Sequence, residues 1–443
     1  MIAMRLFMLV FVAVSGVLLF TGCDESRGPI EISGATMGTQ YHVTIARAPA
    51  DFDVDVMQRE IDAELNRINA QMSTYLPDSE ISRFNSQGET LWFDVSPEFA
   101  SVVRRAQEVS EMTGGAFDVT VGPFVDRWNF GPDRTNMEIP SDAEVAALKQ
   151  AVGFRLIAIR DEPPALRKQR PEVQIDLSAI AKGFAVDRIT QLLESHGLQH
   201  YLAEIGGEVR ARGTNAAATA WTVGIEKPVA DARLVHRVVH LRDAAMATSG
   251  DYRNFIEIDS RRYSHMIDPR TGYPVDHHLA SVSVIADDCV SADAWATALM
   301  VLGPDRGYEL ARQMGIAALL IERTETDLLE RATPDFENIV AASQTTSTSM
   351  FDSQAITVFL CTLVAFALAV AAMAVGVMIS NRRLAGSCGG LAGLKDASGQ
   401  PLCEACGHPS EDCRLSRSER SEISRNEGRD SMGSQHPNGK HGF

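Results

Sequence analysis

Two stretches of this chain hold residue types at spacings that suit catalysis. The first is Gln174-Ile175-Asp176-Leu177-Ser178-Ala179-Ile180-Ala181-Lys182-Gly183-Phe184-Ala185-Val186-Asp187-Arg188-Ile189. Val173, Ile175 and Leu177 alternate, which predicts a short strand. From Ile180 the apolar positions Phe184, Ile189, Leu192 and Leu193 approach helical spacing. Asp176 and Lys182 would then flank a strand-to-helix turn, where free backbone N–H groups suit an anion such as a phosphate-bearing substrate. The plainer reading makes Asp176 a helix cap. The second stretch, Asp287 to Leu299, reads as a helix on which Asp293 and Thr297 share a face. That oxygen pair suits Mg²⁺, which takes its remaining ligands from water and phosphate. Thr297 bonding its own helix backbone is the alternative. Asp288 would be an early-turn acid, and Cys289 a small buried residue.

Other candidates lie in turn-rich segments. Gly34-Ala35-Thr36-Met37-Gly38-Thr39 leads into an alternating strand, Tyr41–Ile45, and its glycines allow either close approach to a ligand or an ordinary turn. Tyr75 sits in a loop that enters a short helix before Asn85, where its ring either stacks on an aromatic ligand or is partly buried. His265 falls in the polar segment Ser264 to Pro274 and is either a proton carrier at neutral pH or structural.

The elements that must position these residues follow from periodicity and caps. Val54–Asn69 and Ser96–Thr113 read as amphipathic helices, the second with Pro97 in its first turn and Gly114-Gly115 at its end. Ser141 with Glu144 reads as a capping box. Strands are expected on both sides of Gly206-Gly207, at Trp221–Pro228, at Arg237–Leu241 and at Ser281–Ile285, with loops at 247–255 and 264–274. Strands and helices mix without a strict βαβ alternation, so the fold class is α+β, with helices on a largely antiparallel sheet.

The 443 residues carry a formal net charge of −17, which argues against non-specific nucleic-acid binding. There is no 20-to-50-residue repeat and no Walker-type phosphate loop. Of seven cysteines, only Cys289 falls between Asp24 and Gln354, so this body has no internal disulfide. Residues 1–22 read as a signal peptide, with Arg5 before the apolar run Leu6–Phe20. Thr21-Gly22-Cys23 resembles a bacterial lipobox, which implies lipidation of Cys23, a tether over 23–29 and, with Asp24 next, retention at the inner membrane. Residues 341–354 read as a Ser/Thr/Gln-rich linker. Residues 355–380 are uncharged and long enough to cross a bilayer, and Arg382 and Arg383 place the following end in the cytoplasm. In the tail, Cys388, Cys403, Cys406 and Cys413 suit a soft metal in a reducing compartment, iron and zinc being equally compatible with the spacing. Residues 416–443 read as disordered.

Taken together, Gly34 to Thr39, Ser73-Thr74-Tyr75, Ser82-Arg83-Phe84-Asn85, Gly115 to Asp118, Ile175 to Gly183, Ile205-Gly206-Gly207, Ser264 to Pro269 and Ser291-Ala292-Asp293 resemble the ApbE family of bacterial FAD:protein FMN transferases, over about residues 30–323. The resemblance implies a T-fold-like periplasmic domain over 30–340. It also implies FAD contacts at Met37, Tyr75, Ala116, Phe117, Asp118, Asp176, Lys182 and Ile267. The Mg²⁺ ligands it implies are the Ala179 carbonyl, Asp293 and Thr297, with Asp293 serving catalysis and His265 or a nearby carboxylate as base. The implied reaction transfers FMN from FAD to a threonine hydroxyl and releases AMP. An FAD pyrophosphatase and a non-catalytic flavin-binding lipoprotein are the alternatives. Residues 381–415 resemble NqrM, a maturation factor of Na⁺-translocating NADH:quinone reductase. That resemblance implies iron delivery by the tail cysteines, a structural zinc knuckle being the alternative, and makes subunits of that reductase the expected flavin acceptors. The expected location is the inner membrane, with the catalytic domain periplasmic.

Overall fold

The computed structural model describes residues 28–131, 138–229, 232–258, 261–342 and 358–371. The chain divides into two units, one up to Ala355 and one from Ile356. The first begins with β1 (Ile30–Thr36), β2 (Thr39–Ile45), α1 (Val54–Met72), α2 (Glu80–Ser86), β3 (Phe93–Asp94), α3 (Pro97–Met112), α4 (Gly122–Arg127) and α5 (Asp142–Leu148). It continues with β4 (Ile157–Arg160), β5 (Ala165–Lys168), α6 (Ala181–Ser195), β6 (Tyr201–Ile205), β7 (Glu208–Arg212), β8 (Trp221–Glu226), β9 (Val235–Leu241) and β10 (Ala244–Gly250). Then come β11 (Phe255–Ile258), β12 (Arg261–Ser264), β13 (Ile267–Asp268), β14 (Tyr273–Pro274), β15 (Leu279–Ala286), α7 (Cys289–Leu302), α8 (Pro304–Met314), β16 (Ala317–Arg323), β17 (Leu328–Ala332) and a helix over 334–342.

Eight strands form one sheet in the order β1-β2-β6-β7-β10-β15-β16-β17, every neighbour antiparallel. Because side chains alternate across a strand, the central strands supply two cores. One face sends Tyr201, Ala203, Ala245, Ala247, Val282, Val284, Ala318 and Leu320 into the core built with α1, α3, α6 and α7. The other sends Val209, Met246, Ile285, Leu319 and Ile321 toward the β8–β9 hairpin and toward Phe336 and Val340. A strand covered on both faces has no solvent-facing side, which is why Leu279–Ile285 is buried throughout, Ser281 and Ser283 included. A third cluster, Phe124, Trp128, Phe130, Val145, Val152 and Ile267, lies apart from both. The α+β architecture on an antiparallel sheet is as expected from the sequence.

Caps set the helix ends. Asp53 accepts from Asp55 and Val56 N–H at the start of α1, Ser96 caps α3, and the Ser141–Glu144 box opens α5. Asp288 is the N-cap of α7 rather than an acid within its first turn, and accepts from Ser291 N–H.

Three further expectations are corrected. Residues 173–177 alternate in burial as a strand would, but they join no ladder and carry no regular secondary structure. The Asn85 side chain takes both the Ile175 N–H and the Ile175 carbonyl at 2.8 Å, and the Asp176 N–H goes to the Val119 carbonyl at 2.7 Å. A side-chain amide therefore does the work of a neighbouring strand. The loop expected at 247–255 begins inside β10, whose small residues look turn-like in sequence. Pairing with β7 and β15 overrides that weak local preference. The loop expected at 264–274 carries the two-residue ladder β13–β14.

In the second unit a helix covers 358–371 with its apolar side chains exposed. Among the described residues no helix is long and apolar enough to cross a membrane. The rest of the expected span 355–380 lies outside the described residues, as do Cys23, the linker from 343, Cys388, Cys403, Cys406 and Cys413.

Candidate active site

The helices α6 and α7 cap each other. Near the start of α6 the Gly183 N–H has no helical partner; it donates to Asp293 Oδ2 of α7 at 2.9 Å. In return Asp187 of α6 receives the Cys289 and Val290 N–H groups that begin α7, at 3.0 and 2.9 Å. Gly183 permits the close approach: a Cβ there would lie 2.3 Å from the Cys289 carbonyl oxygen and 2.8 Å from Asp293 Cβ. The two helix starts, each a positive dipole end, are thereby brought together.

The strand β7 supplies the counter-charges. Its first residue, Glu208, follows the Gly206-Gly207 turn, where both residues have positive φ. Glu208 pairs with Lys182 of α6, and Arg210, two residues on, pairs with Asp187. Burial alone would lower the Lys182 ammonium, but Glu208 and Asp293 outweigh it and hold the amine above its ordinary value, so it is charged. Burial raises Glu208 and Asp293, while Lys182 pulls both down. Asp293 is 3 % exposed and Glu208 likewise 3 %, so this charge is nearly all internal. Glu208 Oε2 has no hydrogen-bond donor.

One turn along α7, Thr297 shares a hydrogen bond with Ser249 of β10 at 3.0 Å rather than with its own helix backbone. Asp293 and Thr297 thus present two oxygens on one helix face, while Ala179, half-buried, lies in the turn before α6. One carboxylate, one hydroxyl and one carbonyl are oxygen donors of the kind a hard cation takes, the rest of its shell coming from water and phosphate. Among the described residues no grouping of three or more His, Cys, Asp or Glu side chains is placed to hold a metal ion, and the oxygen set here is of a different kind.

The remaining candidates surround this crossing to different degrees. Asp176 does not cap α6; its carboxylate accepts from Ser178 N–H at 2.7 Å. Met37 forms the tip of the β1–β2 hairpin with φ of +50°, followed by Gly38 at +72°, a pair that fits a tight two-residue turn. The Gly206 N–H donates to the Gln40 carbonyl at 3.1 Å, which puts that hairpin beside the turn leading to Glu208. Ala116 and Phe117 are buried. Asp118 accepts from Thr120 N–H and hydroxyl at 2.8 and 2.6 Å and from Phe154 N–H at 2.7 Å. Burial raises the Asp118 carboxyl, and these three bonds oppose the rise. Ile267 belongs to the third apolar cluster. Tyr75 stands 67 % exposed, its ring on the surface rather than packed into the crossing.

His265 is half-buried and its Nδ1 lies 2.8 Å from the Asn254 carbonyl. A carbonyl only accepts, so Nδ1 carries the proton and Nε2 keeps a lone pair in the neutral ring. Burial pushes the ring below the usual imidazole range, and Lys182 adds to this while the Asn254 contact and Asp251 oppose it. Glu208, Asp187 and Ser249 were not singled out from the sequence. A signal for the first two existed: Glu208 and Arg210 share one face of β7 and complement Lys182 and Asp187, charge for charge.

Known proteins resemble this chain in sequence and in fold. Residues 37–320 match the model of the ApbE family. The FAD:protein FMN transferase of Vibrio cholerae is 42% identical over 326 residues, covering 74% of this chain and 97% of the relative. That of Escherichia coli K12 is 34% identical over 341 residues, covering 75% and 97%. Among solved structures, the flavin transferase ApbE from Vibrio cholerae superposes with a TM-score of 0.66 at 41% identity, covering 71% of this chain and 99% of that one. The apo flavinyl transferase ApbE of Pseudomonas stutzeri gives 0.66 at 35%, covering 71% and 98%. The match ends before the Cys-rich tail. On its sequence and on its fold, the body of this chain belongs to the ApbE family.

Proposed function

We propose that this chain is an FAD:protein FMN transferase that uses Mg²⁺ to move FMN from FAD onto a threonine hydroxyl of an acceptor protein. The observation that carries the proposal is the reciprocal capping of α6 and α7, which puts a buried carboxylate and a charged amine beside two helix starts. Such a site suits the pyrophosphate of FAD. Asp293, Thr297 and the Ala179 carbonyl would hold the cation, and Mg²⁺ there would offset charge on the phosphate oxygens. Lys182 orients the same phosphates. The acceptor oxygen bonds to the FMN phosphorus, the bond to the AMP oxygen breaks, and the hydroxyl proton passes to a base. His265 is the base this geometry favours, because its Nδ1–H is committed to Asn254 and Nε2 is left to accept. Met37, Tyr75, Ala116 to Asp118, Asp176 and Ile267 complete the FAD site in this reading.

The acceptors we propose are subunits of Na⁺-translocating NADH:quinone reductase, with Cys388, Cys403, Cys406 and Cys413 delivering iron to the same complex. Lipidation at Cys23 and a span over 355–380 would keep the body in the periplasm against the inner membrane. The test incubates the full chain in detergent with FAD, Mg²⁺ and an acceptor bearing the target threonine. Flavin fluorescence of the denatured acceptor band, lost on adding EDTA, is expected. Free FMN and AMP without a labelled band would identify a pyrophosphatase, and bound FAD with no product a carrier.

A further inference from the structure

Lys182 lies between two buried carboxylates, and only one of them holds it. Its ammonium is hydrogen-bonded to Glu208, while Asp293, also within electrostatic reach, is bonded instead to the Gly183 N–H at 2.9 Å. Among the described residues Lys182 is the one charged partner of Glu208, whose side chain is 4 % exposed and whose Oε2 meets no donor. A buried carboxylate with a single charged partner is bound to it strongly, because leaving either ion alone is costly. Glu208 pairs with Ile205 of β6 across the Gly206-Gly207 turn, which fixes where that carboxylate stands.

We propose that Glu208 is a positioning residue that holds the Lys182 ammonium off Asp293, so that the Asp293 carboxylate stays open to a divalent cation before FAD arrives. Without Glu208, the lysine's nearest buried counter-ion is Asp293 itself, and the amine competes with the cation for that carboxylate. The proposal rests on reading Asp293 as a cation ligand.

The test is Mn²⁺ binding by the full chain without FAD, followed by the electron paramagnetic resonance signal of the free ion. The proteins compared are wild type, Glu208→Gln, Lys182→Met, the double variant and Asp293→Asn. The expected result is Mn²⁺ binding weakened about tenfold in Glu208→Gln and returned to within about threefold of wild type when Lys182→Met is added, with Lys182→Met alone changing it less than about threefold. That pattern is non-additive, since the lysine harms binding only when its partner is gone. Equal effects of Lys182→Met in both backgrounds would mean simple charge additivity and overturn the proposal, as would wild-type affinity in Glu208→Gln. Wild-type affinity in Asp293→Asn would place the cation elsewhere and sink the underlying reading as well. If Glu208→Gln does not fold, Glu208→Asp keeps the charge on a shorter arm; a loss of about threefold is then expected, and none refutes the proposal.

Discussion

Two ion pairs tie α6 to β7 a short step apart, and they differ in how completely they are satisfied. In the Asp187–Arg210 pair every carboxylate oxygen is used: Oδ1 takes Arg210 and the Cys289 N–H, and Oδ2 takes the Val290 N–H. In the Lys182–Glu208 pair one carboxylate oxygen is left without a donor, and the amine faces a second acid, Asp293. The charges are reversed between the two, yet the burial and the elements are the same. A saturated pair holds helices together, whereas an unsaturated one keeps valence for something that is not part of the fold. On the proposed function, the difference separates scaffold from chemistry within a single helix–strand contact.

The comparison can be broken at either end. Removing the open site's carboxylate should have the largest effect. Asp293→Ala is expected to reduce FMN transfer about 10³-fold while FAD still binds, read by acceptor fluorescence and by FAD titration. On the scaffold side, Asp187→Ala removes the acceptor of the Cys289 and Val290 N–H groups and of Arg210, and should cost about 3–5 kcal/mol in urea unfolding. Its transfer rate per folded molecule should fall far less than that of Asp293→Ala. Transfer that vanished with Asp187→Ala in a fully folded protein would erase the distinction.

His265→Gln should lower transfer about 10²-fold with FAD affinity unchanged, as expected for loss of a base. The smallest effect concerns stability against pH. Burial holds His265 below its unfolded value of 6.5, so the unfolded chain binds more protons in that window. Stability contributed by the neutral ring is present above pH 6.5 and lost as pH falls through the folded value. His265→Gln should therefore flatten the acid side of the urea-midpoint profile relative to wild type. An unchanged slope would mean that the ring does not titrate as buried.

Much of the framework was legible because its signals are local. Ser96 with Pro97, the Ser141–Glu144 box and the periodicity after Val54 each lie within one or two helical turns of the end they mark. What escaped was set by distant partners. Alternation at Val173, Ile175 and Leu177 truthfully reports burial, but not whether a ladder exists, since the Asn85 amide that replaces the ladder lies 90 residues away from Ile175. The turn-like composition of β10 concealed a strand for the same reason. In the site, Asp293 and Thr297 were readable from helical spacing, whereas Glu208 needed the pairing of α6 with β7 to become visible. Sequence motifs marked the ends of the charged network and missed its middle.

The absent side chain at Gly183 acts as a gauge block of zero thickness. It sets the clearance between the helix that carries the amine and the helix that carries the acid, with the Cys289 carbonyl and Asp293 Cβ as its two jaws. Gly183→Ala would shim that gap by a single methyl group and leave every charge in place. Spacing can thus be changed without touching a charge, the complement of an isosteric acid-to-amide substitution, which changes charge and leaves spacing alone.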